Sequence, residues 1–184
     1  MQFITQPPSK KLLPDPVHPD FHPKTLVLNL TGTLVKSEYI FGKGNKIIVR
    51  PGLEQFLSRL VNKYEIIIFA DEESVMLMNS LNSVDPRHRF ISNVFGKESM
   101  VWRNGGYVKD LKYLNRDLRK VIVIEKTKES VKSQKENAIV LPEYDGSKED
   151  HELTKLLALL ERTTCSIKVW PVLRWSTSGR NWVP

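Results

Sequence analysis

The sequence contains a single cysteine, Cys165, so neither an internal disulfide framework nor a cysteine-based zinc site is available to it. Long apolar runs are missing too. The longest span a handful of residues, such as Ile66 to Ala70, which is too short to cross a bilayer. The start, Met1 to Pro8, has no apolar h-region and no Arg/Ser-rich amphipathic stretch, so neither a secretory nor a transit peptide is visible in it; either one was removed or import uses another signal. What is present is a globular composition: 40% hydrophobic and 27% charged residues over 184 positions, which argues against whole-chain disorder. That length predicts one domain with tails. A domain of about 150 residues buries roughly 68–70% of its unfolded surface, enough for a single core. With 28 Lys+Arg against 21 Asp+Glu, the net charge of +7 permits an anionic partner without requiring one.

Six of the 11 prolines fall at Pro7, Pro8, Pro14, Pro16, Pro19 and Pro23. Proline fixes φ and pushes its predecessor toward extended geometry, so residues 1–23 read as an extended arm outside the core. The globular pattern begins at Lys24. Thr25-Leu-Val-Leu-Asn-Leu30 is nearly continuous in apolar residues, the signature of a strand buried on both faces. A polar stretch with Gly42 and Gly44 follows, then Lys46-Ile-Ile-Val-Arg50. Pro51 opens a helix where its missing N–H costs nothing, and Leu53, Phe56, Leu57, Leu60 and Val61 form its stripe. Glu65 to Ala70 is the second buried strand, and residues 71–81 read as the next helix. Asn104-Gly105 between two short β-prone segments signals a hairpin. Lys120 to Glu125 and Ala138 to Leu141 are the third and fourth buried strands.

The last helix is expected to start near Ser147, with Asp150 placed as in a capping box, and to carry a stripe of Leu153, Leu156, Leu157 and Leu160. Strands alternating with helices imply an α/β domain over residues 24–162, with a mainly parallel central sheet flanked by helices and a small β-hairpin insertion. The remaining segment, 163–184, holds Trp170, Trp175 and Trp182 with Lys168, Arg174 and Arg180 and no acids. Trp and Arg are enriched at interface hot spots, so Trp170, Arg174, Trp175 and Trp182 are candidate partner-binding residues of a docking tail, the plainer alternative being a tail folded onto its own domain.

The first strand ends in Leu28-Asn-Leu-Thr-Gly-Thr-Leu34, which resembles the first motif of the haloacid-dehalogenase phosphatase superfamily, an apolar strand followed by Asp-x-Asp-Gly-Thr. Six further segments resemble one branch of it in order and spacing: Leu12-Leu-Pro-Asp-Pro16, Arg50-Pro-Gly52, Tyr64-Glu-Ile-Ile-Ile-Phe69, Val108-Lys-Asp-Leu111, Leu114-Asn-Arg-Asp-Leu118 and Glu136-Asn-Ala-Ile139. That branch is the family of the presequence-receptor subunit of the mitochondrial inner-membrane protein translocase, related to RNA polymerase II C-terminal-domain phosphatases. The resemblance implies a haloacid-dehalogenase-like Rossmannoid fold. It also implies a degenerate site. The nucleophile and Mg²⁺-ligand position is Asn29, a neutral amide that brings no charge to a hard cation. The acid/base position is Thr31, whose hydroxyl does not exchange a proton near neutral pH. The phosphate-holding hydroxyl is replaced by Ala70, and the metal-binding carboxylates read Glu125-Lys126; only Lys109 matches. No catalytic residue, cofactor or metal is therefore expected. Loss of two carboxylates also removes like-charge repulsion from a metal-free pocket.

The resemblance implies a non-catalytic, protein-binding role in a multi-subunit mitochondrial assembly, peripheral to the inner membrane. Within it, presequence peptides are one class of partner, and Glu149, Asp150 and Glu152, in an acidic cluster with Glu143 and Asp145, are candidate docking residues. Asp71-Glu-Glu73 is a second acidic group, its plainer reading being charge that favours a helix start. A net charge of +7 opposes binding of positively charged peptides, and a receptor of this kind is expected to carry a membrane anchor ahead of the domain. Both favour the alternative of a structural accessory subunit of a respiratory-chain complex or the mitochondrial ribosome. Residues 87–120 hold nine Lys/Arg against three acids without a recognised nucleic-acid reading motif, so no nucleic acid is expected. His18 and His22 lack a third spaced ligand and read as solvated. The sequon Asn29-Leu-Thr31 ends a buried strand and reads as coincidence.

Overall fold

A computed structural model of the chain describes residues 7, 9–16, 23–42, 44–103 and 105–163. Its centre is β1 (Lys24–Leu28), flanked by β4 (Tyr64–Phe69) and β8 (Val121–Glu125), with β5 (Asn93–Phe95) and β9 (Ala138–Val140) at the edges of a parallel sheet ordered β5-β4-β1-β8-β9. Leu26 is in register with Ile66 on one side and Ile122 on the other. Successive side chains on a strand point to opposite faces, so Leu26 and Leu28 enter one apolar cluster and Val27 the other. Both faces are covered, which is why these strands read as unbroken apolar runs rather than alternating ones.

On the first face lie α1 (Leu53–Leu60), α2 (Met78–Val84) and α3 (Glu152–Thr163). Leu53, Phe56, Leu57 and Leu60 of α1 and Leu153, Leu156, Leu157 and Leu160 of α3 are buried where the two helices pack together. Pro51 stands two residues before the first residue of α1 rather than at it. The helix is entered through Gly52 at φ +81°, a left-handed turn that glycine adopts without strain. The helix expected over 71–81 is broken into a 3₁₀ turn at Ser74–Met76 and α2. Tertiary bonds override local propensity there: the Ser74 amide and hydroxyl both donate to Glu98, and the Glu72 carbonyl accepts from the Lys97 amide. Similarly, α3 begins after the 147–150 segment, where Asp150 accepts from the Glu152 amide at 3.1 Å.

Two antiparallel ribbons complete the fold. β6 (Val101–Arg103) and β7 (Gly106–Val108) form the hairpin signalled by Asn104-Gly105. β2 (Val35–Ile40) pairs with β3 (Gly44–Val49) in a longer ribbon that the polar stretch around Gly42 concealed. Residues 1–23 were expected to stand outside the core, yet Leu13 is only 1% exposed within the second cluster. The Leu12 amide donates to the Tyr113 carbonyl, Asn115 donates to the Leu13 carbonyl and Arg116 to that of Pro14. Among the described residues of this segment, the proline-rich stretch around Leu13 is held against the domain rather than in solvent. Among the described residues no helix is long and apolar enough to cross a membrane.

Candidate functional site

In a parallel sheet the C-terminal ends of the strands open on one edge, and residues just beyond a central strand and its two neighbours converge there. The end of β1 delivers Asn29, that of β4 delivers Ala70 and Asp71, and that of β8 delivers Glu125 and Lys126. The connection after β7 adds Lys109, whose amide is anchored to the Ser130 carbonyl at 2.7 Å. All six residues that the sequence singled out as a degenerate reaction centre map to this edge, and Lys109 is in direct contact with two of them, Asn29 and Glu125.

Lys109 organises the pocket. Its side chain is fully buried, and an ammonium group has three hydrogens to donate. They meet three acceptors from three strand ends: Asn29 Oδ1 at 3.2 Å, Asp71 Oδ1 at 2.9 Å and Glu125 Oε1. The Asn29 amide nitrogen faces the Thr31 carbonyl at 3.3 Å and, at 3.4 Å each, Thr33 Oγ1 and Asp71 Oδ2. Lys126 closes the mouth, 3.7 Å from Asp71 Oδ2 and 3.9 Å from Glu143 Oε1. Gly32 at this mouth holds φ +78°, a left-handed conformation that favours glycine; a Cβ there would also displace the flexible ends of Glu143 and Lys126.

The electrostatics balance inside the pocket. Lys109 and Lys126 oppose Asp71 and Glu125, and burial pushes the Glu125 carboxyl above the usual carboxylate range against the pull of the adjacent Lys109 ammonium. These residues do not fit a hard divalent cation. Where such an ion needs carboxylate oxygens there is the Asn29 amide, and the nearest carboxylates already face an ammonium group. A phosphoryl group finds no free donor on Lys109 and no hydroxyl at Ala70. Among the described residues no group of three or more His, Cys, Asp or Glu is arranged to hold a metal.

Asp71 is the pocket residue that sequence reasoning placed elsewhere, in an exposed acidic group. The available signal was its position two residues past the end of a buried strand that neighbours β1. Arg50 was noted only as part of a motif. Its buried guanidinium binds both Asp150 oxygens (2.9 and 2.8 Å) and donates to the carbonyls of Thr33 and Pro142, tying the loop after β1 to the segment before α3. Asp150, a candidate docking residue, is therefore engaged within the chain. Burial would raise its carboxyl, and Arg50 and the Glu152 amide outweigh that and hold it below the usual range. Glu152 pairs with Lys155 at 2.6 Å, and Glu149 is exposed. Trp170, Arg174, Trp175 and Trp182 lie outside the described residues, as do His18 and His22. The basic run does not form one free face. Lys109 is in the pocket, Arg103 and Lys112 face Asp110, Arg116 binds Glu65 and Arg119 binds Asp117.

Comparison with known proteins adds relatives to this geometry. The sequence model of a family described as NLI interacting factor-like phosphatase matches residues 24–169. A Neurospora crassa protein named mitochondrial import inner membrane translocase subunit tim50 is 40% identical over 162 residues, covering 88% of this chain and 30% of its own length. The Homo sapiens protein named mitochondrial import inner membrane translocase subunit TIM50 is 38% identical over 162 residues, covering 87% of this chain and 46% of its own. The chain thus spans less than half the length of these curated relatives. Among solved structures, fission yeast RNA polymerase II CTD phosphatase Fcp1 bound to beryllium fluoride superposes with a TM-score of 0.54 at 17% identity, covering 80% of this chain and 58% of that one. At that identity the likeness concerns the fold, which is a haloacid-dehalogenase-like α/β domain.

Proposed function

Because the chain belongs to the NLI interacting factor-like phosphatase family, we propose that it is a non-catalytic, protein-binding member of it that works in mitochondrial protein import at the inner membrane. The observation that carries the non-catalytic part is the state of Lys109. Its three donors are taken by Asn29, Asp71 and Glu125, which leaves none on it for a phosphate, and the nucleophile position beside it is the Asn29 amide. The pocket is an internal ionic cluster that fastens three strand ends. The translocase relatives support the mitochondrial part, and partners are then other proteins of that assembly, with presequence peptides as one ligand class. Glu149 is the exposed member of the acidic trio through which such a peptide would dock, and the tail residues Trp170, Arg174, Trp175 and Trp182 would contact the assembly.

A second reading rests on charge. A net charge of +7 opposes the approach of positively charged targeting peptides and suits a building block held by acidic neighbours in a larger inner-membrane or ribosomal assembly. Native electrophoresis and mass spectrometry of the endogenous tagged protein after gentle solubilisation separate the two. Co-migration with the translocase channel supports import, and co-migration with respiratory or ribosomal subunits supports the building block. A free monomer in intact mitochondrial extract refutes both. Turnover of an aryl phosphate with Mg²⁺ by the unmodified chain refutes the non-catalytic reading.

A further inference from the structure

A cavity of about 360 Å³ opens where the end of β3 meets the start of α1 and the C-terminal end of α2, and it shares no residue with the ionic pocket. That volume falls within the range of ligand sites, roughly 300–1,000 Å³. Val49, Leu53, Val84 and Phe90 give it an apolar lining, and Arg87 and Arg89 stand on the loop that forms one wall.

This loop is built to be rigid. The Asp85 carboxylate accepts from three successive backbone amides, those of Arg89 at 2.9 Å, Phe90 at 2.8 Å and Ile91 at 3.0 Å, while the His88 amide closes a turn onto the Asp85 carbonyl. His88 itself is held at φ +49°, a left-handed conformation that non-glycine residues adopt at a cost and that persists where surrounding contacts enforce it. The Arg89 guanidinium lies 5.0 Å from the Phe90 ring centroid, which fixes its head beside the cavity lining.

Charge identifies the occupant. Arg50, Arg59, Arg103, Arg116 and Arg119 each form an ion pair within the chain. Arg87 and Arg89 are exposed and have no carboxylate partner among the described residues. Of the two acids in the lining, Asp85 is committed to its three amides, and Glu54 sits in the first turn of α1, where the helix dipole favours it. The cavity therefore presents two unpaired guanidinium groups against one available carboxylate, on a chain whose overall charge of +7 draws in anions.

We propose that this cavity binds a partner-protein segment in which a large apolar side chain is flanked by carboxylates. The apolar side chain enters between Val84 and Phe90, and the carboxylates take Arg87 and Arg89 in charge-assisted, two-pronged hydrogen bonds. Such a ligand is opposite in sign to a basic targeting peptide, so the site goes beyond the function proposed above and stands whichever mitochondrial assembly the chain joins.

The test is fluorescence polarisation with the full chain and three labelled peptides: the acidic–apolar ELFDLLE, its charge-reversed form KLFKLLK, and ELSDLLE, which lacks the aromatic anchor. Saturable binding of the first is expected, with affinity falling roughly tenfold or more for KLFKLLK and in the Arg87→Glu/Arg89→Glu variant. ELSDLLE should also bind more weakly. Both arginines are exposed, so the variant should melt like the parent; the milder Arg87→Gln/Arg89→Gln pair gives the same comparison if it does not. The proposal is overturned by absence of saturable binding, by equal affinity for KLFKLLK, or by a folded variant that binds as tightly as the parent. Displacement of the peptide by phosphatidylserine-containing vesicles with the same arginine dependence would overturn it as well, assigning the surface to lipid headgroups.

Discussion

Replacing Lys109 with Met isolates the energetic role of the pocket, because it removes the ammonium while keeping a side chain of similar length. The Lys109 and Glu125 side chains are 0% and 1% exposed, so the loss leaves the Glu125 charge with little water to replace its partner. Removing one member of a buried ion pair costs about 3–5 kcal/mol, and at about 2–4 °C per kcal/mol for a domain of this size the melting temperature falls by roughly 6–20 °C. Asp71 is 32% exposed and recovers part of its solvation, so Glu125 carries most of the penalty. A pH dependence follows from its direction of titration. Glu125 already titrates above its ordinary value because burial disfavours its charge, and without Lys109 it is driven higher still. A group whose folded pKa exceeds its unfolded one contributes stability that is complete below the unfolded value, near 4.5, and is lost as pH rises through the folded value. The deficit of Lys109→Met should therefore be largest at neutral pH and shrink on acidification toward that value. The double variant Lys109→Met/Glu125→Gln should be more stable at pH 7 than Lys109→Met alone. Thermal and urea denaturation followed by circular dichroism read all three. A single variant within about 1 kcal/mol of the parent at pH 7, or a deficit that widens on acidification, refutes the buried-cluster reasoning.

Arg50→Ala should cost about 3–5 kcal/mol in urea denaturation because it strands Asp150, and Arg50→Lys should recover little, since an ammonium cannot reproduce the two-pronged geometry; near-parental stability of either would refute the clamp. Leu13→Ala should lose about 2–5 kcal/mol by the same measurement, whereas a loss below about 0.5 kcal/mol would return the arm to the solvent. Asn29→Asp/Thr31→Asp should show no Mg²⁺-dependent hydrolysis of an aryl phosphate, because Lys109 would still be held by Asp71 and Glu125 and Ala70 still lacks a hydroxyl. Turnover by that double variant would mean the remaining scaffold is competent.

Burial pattern is a local property, and so the sequence by itself determined the layered core. The runs in β1, β4, β8 and β9 have apolar residues in nearly every position because both faces of a parallel sheet are covered, and the stripes of α1 and α3 repeat at helical spacing because one face of each is buried. The same reading placed Asn29, Ala70 and Glu125 at strand ends, where the family motif puts its reaction-centre positions. It did not find β5, three residues at an edge with no apolar alternation, or β2, whose exposed Ser37, Tyr39 and Ile40 resemble a loop. The partners of charged groups were decided only by the tertiary structure. Lys109 meets Asn29 and Glu125 from 80 and 16 positions away, and Arg50 meets Asp150 across 100. Asp71 and Asp150 read as surface acids because no periodicity marks the partner of a charge. An ion pair requires two side chains to converge after the chain has folded, and which ones converge is set by strand order and by the loops that cross the sheet's edge.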